Sequence, residues 1–486
     1  MKARSIFDET EEIRMGKNIP YFQCAAVIAT LSVSLVLNIF IFNKPVYFGL
    51  IAGIISAYII AILNGYNSKT LIGFAYKGVK KSSKVFAMLS MIGILIGIWK
   101  IGGVIPTMLY YSFGIINEKI FLISSFLICL AISMLMGTSS GTVSTVGIVL
   151  IGLGSSMNIP LALIAGTVVS GAFIGDRTSP ISSVFNLVST MTETDPHDNV
   201  KYFSKTLFIG IILSIAFYFF IGLNYANKGS GTVNTLDYKN LLTHFLNISP
   251  GLLIPPLMLI VFYAFKKISA LYSMAASVVI GAVFSMIYQG SSLIEVIKAG
   301  LFGYYPSISS EYSLVLAGGG IISFKSMLIV LICATSLNGI FEGTRIVETL
   351  VEPILKRIKD PKGLMLFSIG FSIVSAIFMC NQVISIIVPS GVLLKRYEEL
   401  RIDKKVFARL LSDSGVMISA IIPWNVAALI PASVMGVEVL SYLPYAFLAY
   451  MMPIIATANV LFFQNNILIN KRGNISEKAY SQVEHD

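Results

Sequence analysis

Long apolar segments separated by short polar connections dominate the sequence. Ten of them are long enough to cross about 30 Å of hydrocarbon as helices. They lie at residues 21–42, 45–63, 85–112, 160–189, 203–223, 251–265, 271–288, 323–341, 406–434 and 442–463. The pattern predicts an all-α polytopic membrane protein with about ten transmembrane helices.

Two further apolar stretches are interrupted near their middle by small or polar residues. The first, 120–154, is broken at 137–142, and the second, 364–394, is broken at 380–382. Each is too long for one crossing and short for two, which predicts re-entrant hairpins with unwound tips at membrane depth. The alternative is two full crossings joined by a polar turn.

The two broken stretches are related by a constant offset of 243 residues. This offset carries Thr138 onto Asn381 and Pro180 onto Pro423. Each copy has the order long helix, broken hairpin, proline-broken helix, which predicts an inverted-repeat transporter fold. The predicted parts are an N-terminal cytoplasmic segment (1–20), a helix pair with a basic loop (21–84), the first repeat (85–224), a linking segment with two helices (225–322), the second repeat (323–463) and a cytoplasmic tail (464–486).

Composition and charge agree with a membrane protein. Hydrophobic residues make up 56% of the chain and charged residues 12%, too few charges for a water-soluble surface. The net charge of +11 reflects basic cytoplasmic loops rather than a nucleic-acid partner. The distribution of Lys and Arg places both termini in the cytoplasm, with the lipid bilayer of the plasma (inner) membrane as the partner. The same distribution predicts that the second hairpin enters the membrane from the cytoplasm and the first hairpin from outside.

Few residues could support enzymatic chemistry. The four cysteines show no metal-ligand spacing, and the three histidines lie in polar connections or the tail. The residues 137–141 match the G-x-S-x-G pattern of hydrolases, but no strand precedes them and no membrane segment contains a histidine. An intramembrane serine hydrolase is therefore a remote alternative, and no phosphate-binding loop supports ATP-driven transport.

Asp176 is the most informative residue. It ends an apolar run and lies between Gly175 and Pro180, where a helix would break. An intramembrane carboxylate indicates a functional site, and together with Thr178, Ser179 and Asn186 it offers an all-oxygen shell for sodium or a proton. The alternative is that Asp176 pairs with Arg177 or marks a helix end.

The tips and the second copy supply further candidate ligands. Small hydroxyl residues at the first tip predict ion or substrate contacts, because the flanking glycines permit close approach. Asp413 lies two turns past Lys405, deep enough to line a cavity. The predicted ligands are Thr138, Ser139, Ser140 and Thr142 in the first copy and Asn381, Gln382, Asp413, Ser414 and Asn425 in the second. Asp176, Ser139 and Asn381 would hold sodium, although the amides are equally compatible with helix packing.

These residues give the sequence a resemblance to the NhaC-type sodium/proton antiporter family of the ion transporter superfamily. The matching segments are 137–143, 170–180, 186–187, 413–415, 422–425 and 442–447. The resemblance implies sodium-coupled transport, with members that exchange sodium for protons, exchange organic acids such as malate and lactate, or carry amino acids. Family antiporters often have acids where this chain has Ser183 and Asn381, and a Trp in place of Ser140.

The sequence as a whole predicts a sodium/proton antiporter of NhaC type that works by alternating access. The expected partners are sodium, as the transported or coupling ion, and the proton, with an amino acid or organic acid as a further candidate partner, and no cofactor is expected. The alternative is a sodium-coupled transporter or exchanger of an amino acid or a small organic acid, which the missing acids favour. The sequence also permits a homodimer.

Overall fold

The computed structural model describes residues 19–42, 44–112, 120–157, 159–227, 242–244, 246–264, 270–306 and 317–462. Within these ranges the chain is helical apart from turns and one isolated β-bridge between Tyr304 and Gly318. The all-α class predicted from the apolar pattern is confirmed. Most of the two predicted cytoplasmic ends, 1–18 and 463–486, lies outside the described residues.

The helices of the first half of the chain are α1 (Tyr21–Val36), α2 (Tyr47–Leu63), α3 (Ser68–Lys81), α4 (Ser83–Ile101), α5 (Val104–Ser112), α6 (Phe121–Met136), α7 (Ser139–Thr142), α8 (Ile148–Ser156), α9 (Leu161–Thr178), α10 (Ser183–Met191) and α11 (Pro196–Asn227). A π-helical segment, Val143–Gly147, joins α7 to α8.

The helices of the second half are α12 (Ile254–Ala264), α13 (Ala270–Gln289), α14 (Leu293–Phe302), α15 (Lys325–Thr344), α16 (Ile346–Arg357), α17 (Pro361–Phe378), α18 (Ile384–Glu399), α19 (Lys404–Leu411), α20 (Val426–Met435), α21 (Val439–Tyr442) and α22 (Phe447–Phe462). A π-helical segment, Ser412–Val416, follows α19 directly.

Several helices are suited to crossing a membrane. In the described part of the chain, six are long and apolar enough, and the number rises to nine if three bent helix pairs each form one span. The six are Tyr21–Ile39, Leu161–Thr178, Pro196–Asn224, Leu271–Gln289, Ile321–Thr344 and Pro361–Phe378. The protein is therefore a multi-pass membrane protein, while the count of about ten crossings stays a prediction.

The first broken stretch has a sharp interruption. Helix α6 ends at Met136, Gly137 adopts a left-handed conformation with φ of +67°, and Thr138 is extended before α7 begins at Ser139. Glycine suits this position because it adopts positive φ without steric cost. Both apolar halves are shorter than 18 residues. The hairpin itself stays a prediction.

The second broken stretch differs in its first half. Helix α17 ends at Phe378, Cys380 has a φ of +54°, and α18 begins at Ile384. With 18 apolar residues, α17 is long enough to cross a membrane by itself. This length agrees better with a full crossing, the alternative considered above, than with half of a re-entrant hairpin. The second hairpin stays a prediction.

Both helices with a matched proline are interrupted beside it. Helix α9 ends at Thr178, just before Ser179 and Pro180, and the hydroxyl of Ser182 then accepts hydrogen bonds from the N–H groups that open α10. In the second half, the helix ending at Ile421 and the helix beginning at Val426 are bent by 45° around Pro423. Proline cannot donate a backbone hydrogen bond, which explains the shared position of the breaks.

The chain divides into two compact units. One comprises Met1–Val85, Leu328–Ile358 and Phe378–Cys380, and the other Phe86–Met327, Lys359–Ile377 and Asn381–Asp486. In the first unit, α1 packs along α2 and against α16. In the second, the most extensive helix contact joins α6 and α9. The predicted domain boundaries follow the sequence repeat and stay predictions.

Two glycines bring α6 and α9 into close contact. A Cβ atom at Gly171 would lie 2.5 Å from the carbonyl oxygen of Phe126, so no larger residue fits without displacement of the backbone. One turn later, the hydroxyl of Ser133 donates to the Gly171 carbonyl and accepts from the Gly175 N–H. Small residues four apart are typical of tightly packed membrane helices. This contact places the end of α9 beside the break that follows α6.

Candidate cation-binding site

The carboxylate of Asp176 lies where the end of α9 meets the start of α7. Its Oδ2 accepts a 2.5 Å hydrogen bond from the Ser139 hydroxyl, and its Oδ1 accepts a 3.3 Å bond from the Ser139 N–H. The Ser182 side chain lies close to this carboxylate as well. The structure thus joins the first tip and the first helix break, two features that the sequence predicts separately. Ser182 is a contact that the sequence analysis missed.

No basic residue neutralises Asp176 in the part of the chain that the structure describes. The side chain is only 6% exposed, and none of the ion pairs between described residues includes it. A buried carboxylate without a counter-charge is costly unless it binds a cation or a proton. The site therefore has the charge and the oxygen ligands that a small hard cation prefers.

Arg177 turns away from Asp176 and pairs with Asp413. Its Nη2 and Nε lie 2.5 and 2.7 Å from Asp413 Oδ1, and both side chains are fully buried. The alternative in which Asp176 pairs with Arg177 is therefore wrong. Asp413 is a buried ion-pair partner here, rather than the cavity-lining carboxylate that the sequence suggests.

The rest of the Arg177 guanidinium is also satisfied. Nη1 donates to the Thr178 hydroxyl, while Nη2 donates to the Thr206 hydroxyl and the Phe203 carbonyl. Thr206 in turn donates a 3.3 Å bond to the second oxygen of Asp413. Thr178, predicted as a cation ligand, thus binds Arg177 in this structure. Thr206 and Phe203 belong to α11, a helix that the sequence analysis did not connect with the site.

The remaining candidates near the first break mostly stabilise local backbone. The Ser179 hydroxyl donates to the Met134 carbonyl, and the Asn186 amide donates to the carbonyls of Pro180 and Ser182. These bonds satisfy carbonyl groups near the break, whose intrahelical partners are missing. Neither side chain hydrogen-bonds to Asp176, and as cation ligands both stay predictions.

The other tip residues lie close to the Asp176 contact. Thr142 is fully buried and its hydroxyl donates to the Thr138 carbonyl, whereas Ser140 is half-buried. The π-helical segment Val143–Gly147 follows directly. Such segments occur frequently at functional sites, because they leave irregular backbone hydrogen bonding. The tip therefore combines an irregular backbone with several hydroxyl side chains, and it lies beside a buried carboxylate.

The amides of the second copy bind backbone groups. Gln382 donates to the Val416 carbonyl, and Asn381 accepts from the Val383 N–H. Asn425 caps α20 by accepting from the Ala427 N–H and donates to the Ala376 carbonyl. Among the hydrogen bonds of the described residues, none joins Asn381 to Asp176 or Ser139. A sodium site that includes Asn381 stays a prediction.

Besides the predicted Ser414, the second copy contains buried hydroxyl groups that the sequence does not single out. Ser414 donates to the Leu410 carbonyl. In the described part of the chain, however, several buried serine hydroxyls of the second copy have no hydrogen-bond partner. They are Ser372, Ser375, Ser390 and Ser412. Such groups are uncommon, because buried polar atoms usually have hydrogen-bond partners. Single serines are frequent in apolar helices, so the sequence gives little indication of them.

The chain is similar in sequence to several known proteins. The sequence profile of the Na+/H+ antiporter family matches residues 12–222 and 171–462. The chain is 28% identical over 419 residues to the malate-2H+/Na+-lactate antiporter of Bacillus subtilis, covering 86% of this chain and 89% of that protein. It is 26% identical over 413 residues to the Na+/H+ antiporter NhaC of Alkalihalophilus pseudofirmus, covering 82% and 86%. It is 28% identical over 462 residues to the arginine/ornithine antiporter ArcD of Halobacterium salinarum, covering 93% of each.

Proposed function

The chain belongs to the Na+/H+ antiporter family, and from this premise we propose that it is a secondary active transporter exchanging sodium ions for protons. It is a transporter rather than an enzyme. Relatives named Na+/H+ antiporter match it over 82% of its length. Alternating access would expose the site to each side of the membrane in turn. We place the protein in the plasma membrane with both termini in the cytoplasm, following its basic loops.

One observation carries the proposal: Asp176 is a buried carboxylate held by Ser139, without a basic partner among the described residues. Such a group is stable in the membrane interior when a proton neutralises it or a sodium ion binds it. Both ligands need the same two oxygens, so they compete. Competition for one carboxylate couples the two fluxes, because each ion can cross only when the other has left.

Sodium would find oxygen ligands around this carboxylate. The Ser139 hydroxyl already contacts it, and the Ser182 side chain lies close to it. Hard cations prefer carboxylate, hydroxyl and carbonyl oxygens. We therefore assign sodium as the transported ion at Asp176 and propose no further cofactor.

Proton movement in proteoliposomes tests this assignment. A sodium gradient should drive proton movement through the wild-type protein, and Asp176→Asn should slow it by about 100-fold, since a charged ligand is lost. The matched control is Asp360→Asn, which changes an exposed carboxylate at the start of α17 and retains an oxygen for the Gly363 N–H. Undiminished exchange in Asp176→Asn would refute the proposal.

A second candidate function is sodium-coupled transport or exchange of a small organic acid or an amino acid. Two positions at which family antiporters often have acids are neutral here: Ser183 is exposed at the start of α10, and Asn381 accepts from the Val383 N–H. Relatives named for malate and lactate or for arginine and ornithine match the chain as well as the sodium/proton antiporters do. Sodium-dependent uptake of a labelled acid at constant pH would distinguish the two functions.

A further inference from the structure

Three pairs of side chains join α11 to α19 and the π-helical segment that follows it. Asp198 pairs with Lys405 at 2.6 Å, the guanidinium of Arg409 lies 5.0 Å from the ring centre of Tyr202, and Thr206 donates to Asp413. In each pair the two residues are 207 positions apart. Residues four apart lie on one helix face, so the two helices run in the same direction with their polar faces matched. We call these three pairs the polar seam.

The polar seam leads from the protein surface into its core. The side chains of Asp198 and Lys405 are 51% and 35% exposed. Arg409, one turn further along, is 4% exposed, and Asp413 is fully buried one turn beyond it. Burial therefore increases at each turn of the two helices.

Charge is balanced at the two ends of the polar seam but not in its middle. Lys405 has Asp198 as its partner, and Asp413 has Arg177. Within the described ranges of the chain, no carboxylate forms an ion pair with Arg409. Asp413 follows Arg409 by one turn, but its oxygens are occupied by Arg177 and Thr206. The middle of the seam thus holds a buried positive charge without a counter-ion.

The guanidinium of Arg409 also has unused hydrogen-bonding capacity. Its Nη2 donates a 2.9 Å bond to the Asn459 amide oxygen, whereas its Nε is buried without a hydrogen-bond partner. Nε and Nη2 form the edge of a guanidinium that matches the two oxygens of a carboxylate. The Asn459 amide and the Tyr202 ring are both neutral, so neither of them balances the positive charge of the guanidinium.

From this geometry we propose that Arg409 binds the carboxylate group of a small organic anion that enters along the polar seam. The proposal rests on the transport function proposed above and names a class of substrate for it. A sodium ion is a poor occupant, because Lys405, Arg409 and Arg177 present positive charge along the route. A carboxylate supplies the missing counter-charge and accepts from Nε and Nη2 together.

The pairs on either side of Arg409 suit such a binding site. The Asp198–Lys405 ion pair is exposed and contributes little stability, so it opens readily to admit a ligand. The Arg177–Asp413 pair is fully buried, and breaking it would leave a charge without a partner. A ligand entering from the surface would therefore stop at Arg409.

Ligand-induced thermal stabilisation of the full-length protein tests the proposal. The purified protein is placed in nanodiscs of phosphatidylcholine, which exclude anionic lipid, at a fixed sodium concentration. The probes are L-lactate, L-malate and inorganic phosphate, each titrated to obtain an apparent Kd. We expect at least one of the two carboxylates to stabilise the wild type, and Arg409→Gln to raise its Kd by about 10- to 100-fold.

Two further variants keep the result interpretable. Lys404→Gln removes a nearby cation that pairs with Glu193 and Glu398 outside the polar seam, and its Kd should stay within about twofold of the wild type. Arg409→Lys retains the charge but loses the two-point contact, so we expect an intermediate Kd. If Arg409→Gln does not fold, Arg409→Lys decides: an unchanged Kd in this variant would overturn the proposal.

The remaining outcomes separate this proposal from the sodium/proton function. Absence of carboxylate binding in a wild-type protein that still exchanges sodium for protons would overturn the Arg409 site alone. Equal stabilisation by phosphate would overturn the assignment to carboxylates. Carboxylate binding that depends on Arg409, in a protein without sodium/proton exchange, would support this site and refute the proposed antiport instead.

Discussion

Asp176 and Asp413 are both buried carboxylates, but their neighbours give them different properties. Arg177 forms an ion pair with Asp413, while Asp176 receives only hydroxyl and amide hydrogen bonds. The sequence identifies both acids as candidates, because each interrupts an apolar segment. It does not reveal their partners, since Arg177 adjoins Asp176 in the chain and reaches Asp413 across 236 residues. Only the tertiary packing of α9, α11 and α19 distinguishes them.

The difference predicts opposite effects on stability. Asp413→Asn leaves Arg177 buried without a counter-charge, and we expect it to lower the free energy of unfolding by about 3–5 kcal/mol. Asp176→Asn removes an uncompensated charge and should be neutral or stabilising in the absence of sodium. Thermal unfolding of the purified variants measures both. Equal melting temperatures for Asp413→Asn and the wild type would contradict this account of the ion pair.

At the scale of helices, the sequence predicts the breaks well and the contacts poorly. Gly137 and Pro180 interrupt their helices through local backbone chemistry, so the positions of the breaks follow from residue type. Which helices then meet depends on packing that has no local signal. The polar seam is an example, because the sequence of α11 predicts an ordinary apolar span and does not indicate its contacts with α19.

The close contact of α6 with α9 predicts that Gly171 cannot be enlarged. A Cβ atom there would lie 2.5 Å from the Phe126 carbonyl oxygen, so Gly171→Ala should destabilise the protein by about 1–3 kcal/mol. Gly370 is the matched control, because it also lies in an apolar helix but a Cβ atom there would have no neighbour within 4 Å. Thermal unfolding of both variants is the measurement. A larger loss in Gly370→Ala would contradict the packing.

Helix α14 provides a pH-dependent prediction outside the membrane-spanning segments. Hydrogen bonds from the N–H and hydroxyl of Ser292 lower the pKa of Glu295 below its ordinary value. A lowered folded-state pKa means that the capping contribution is present above the unfolded-state pKa and is lost as pH falls through the folded-state pKa. The protection of the first-turn amides of α14 against hydrogen exchange should therefore decrease as the pH falls below the ordinary pKa of a glutamate side chain. Glu295→Gln should remove this acid-dependent step, and its persistence there would contradict the capping assignment.

At the scale of the whole molecule, hydropathy predicts the class of protein but not the number of crossings. Six helices of the described ranges are long and apolar enough to span, nine with bent pairs included, whereas the apolar runs suggest about ten. The difference arises because runs such as 45–63 and 251–265 form helices shorter than 18 residues in the structure. Shorter helices can still cross when they bend or thin the bilayer locally, so length alone does not decide.

The basic loops predict an orientation for the molecule. Fusions of a cytoplasmic reporter after residue 463 and of an extracellular reporter within 225–249 should both be active, because Lys and Arg concentrate on the cytoplasmic side. Exchanging the two reporters should abolish both signals. Activity of the exchanged pair would contradict the predicted orientation without affecting the site at Asp176.

Competition between sodium and protons for Asp176 is the central claim, and calorimetric titration of the purified protein with sodium across a pH series tests it most directly. We expect the apparent Kd for sodium to rise by up to about tenfold for each unit of decreasing pH once Asp176 is protonated, with proton release on binding. Asp176→Asn should abolish binding. Sodium binding that is independent of pH, or that is retained in Asp176→Asn, would contradict the account.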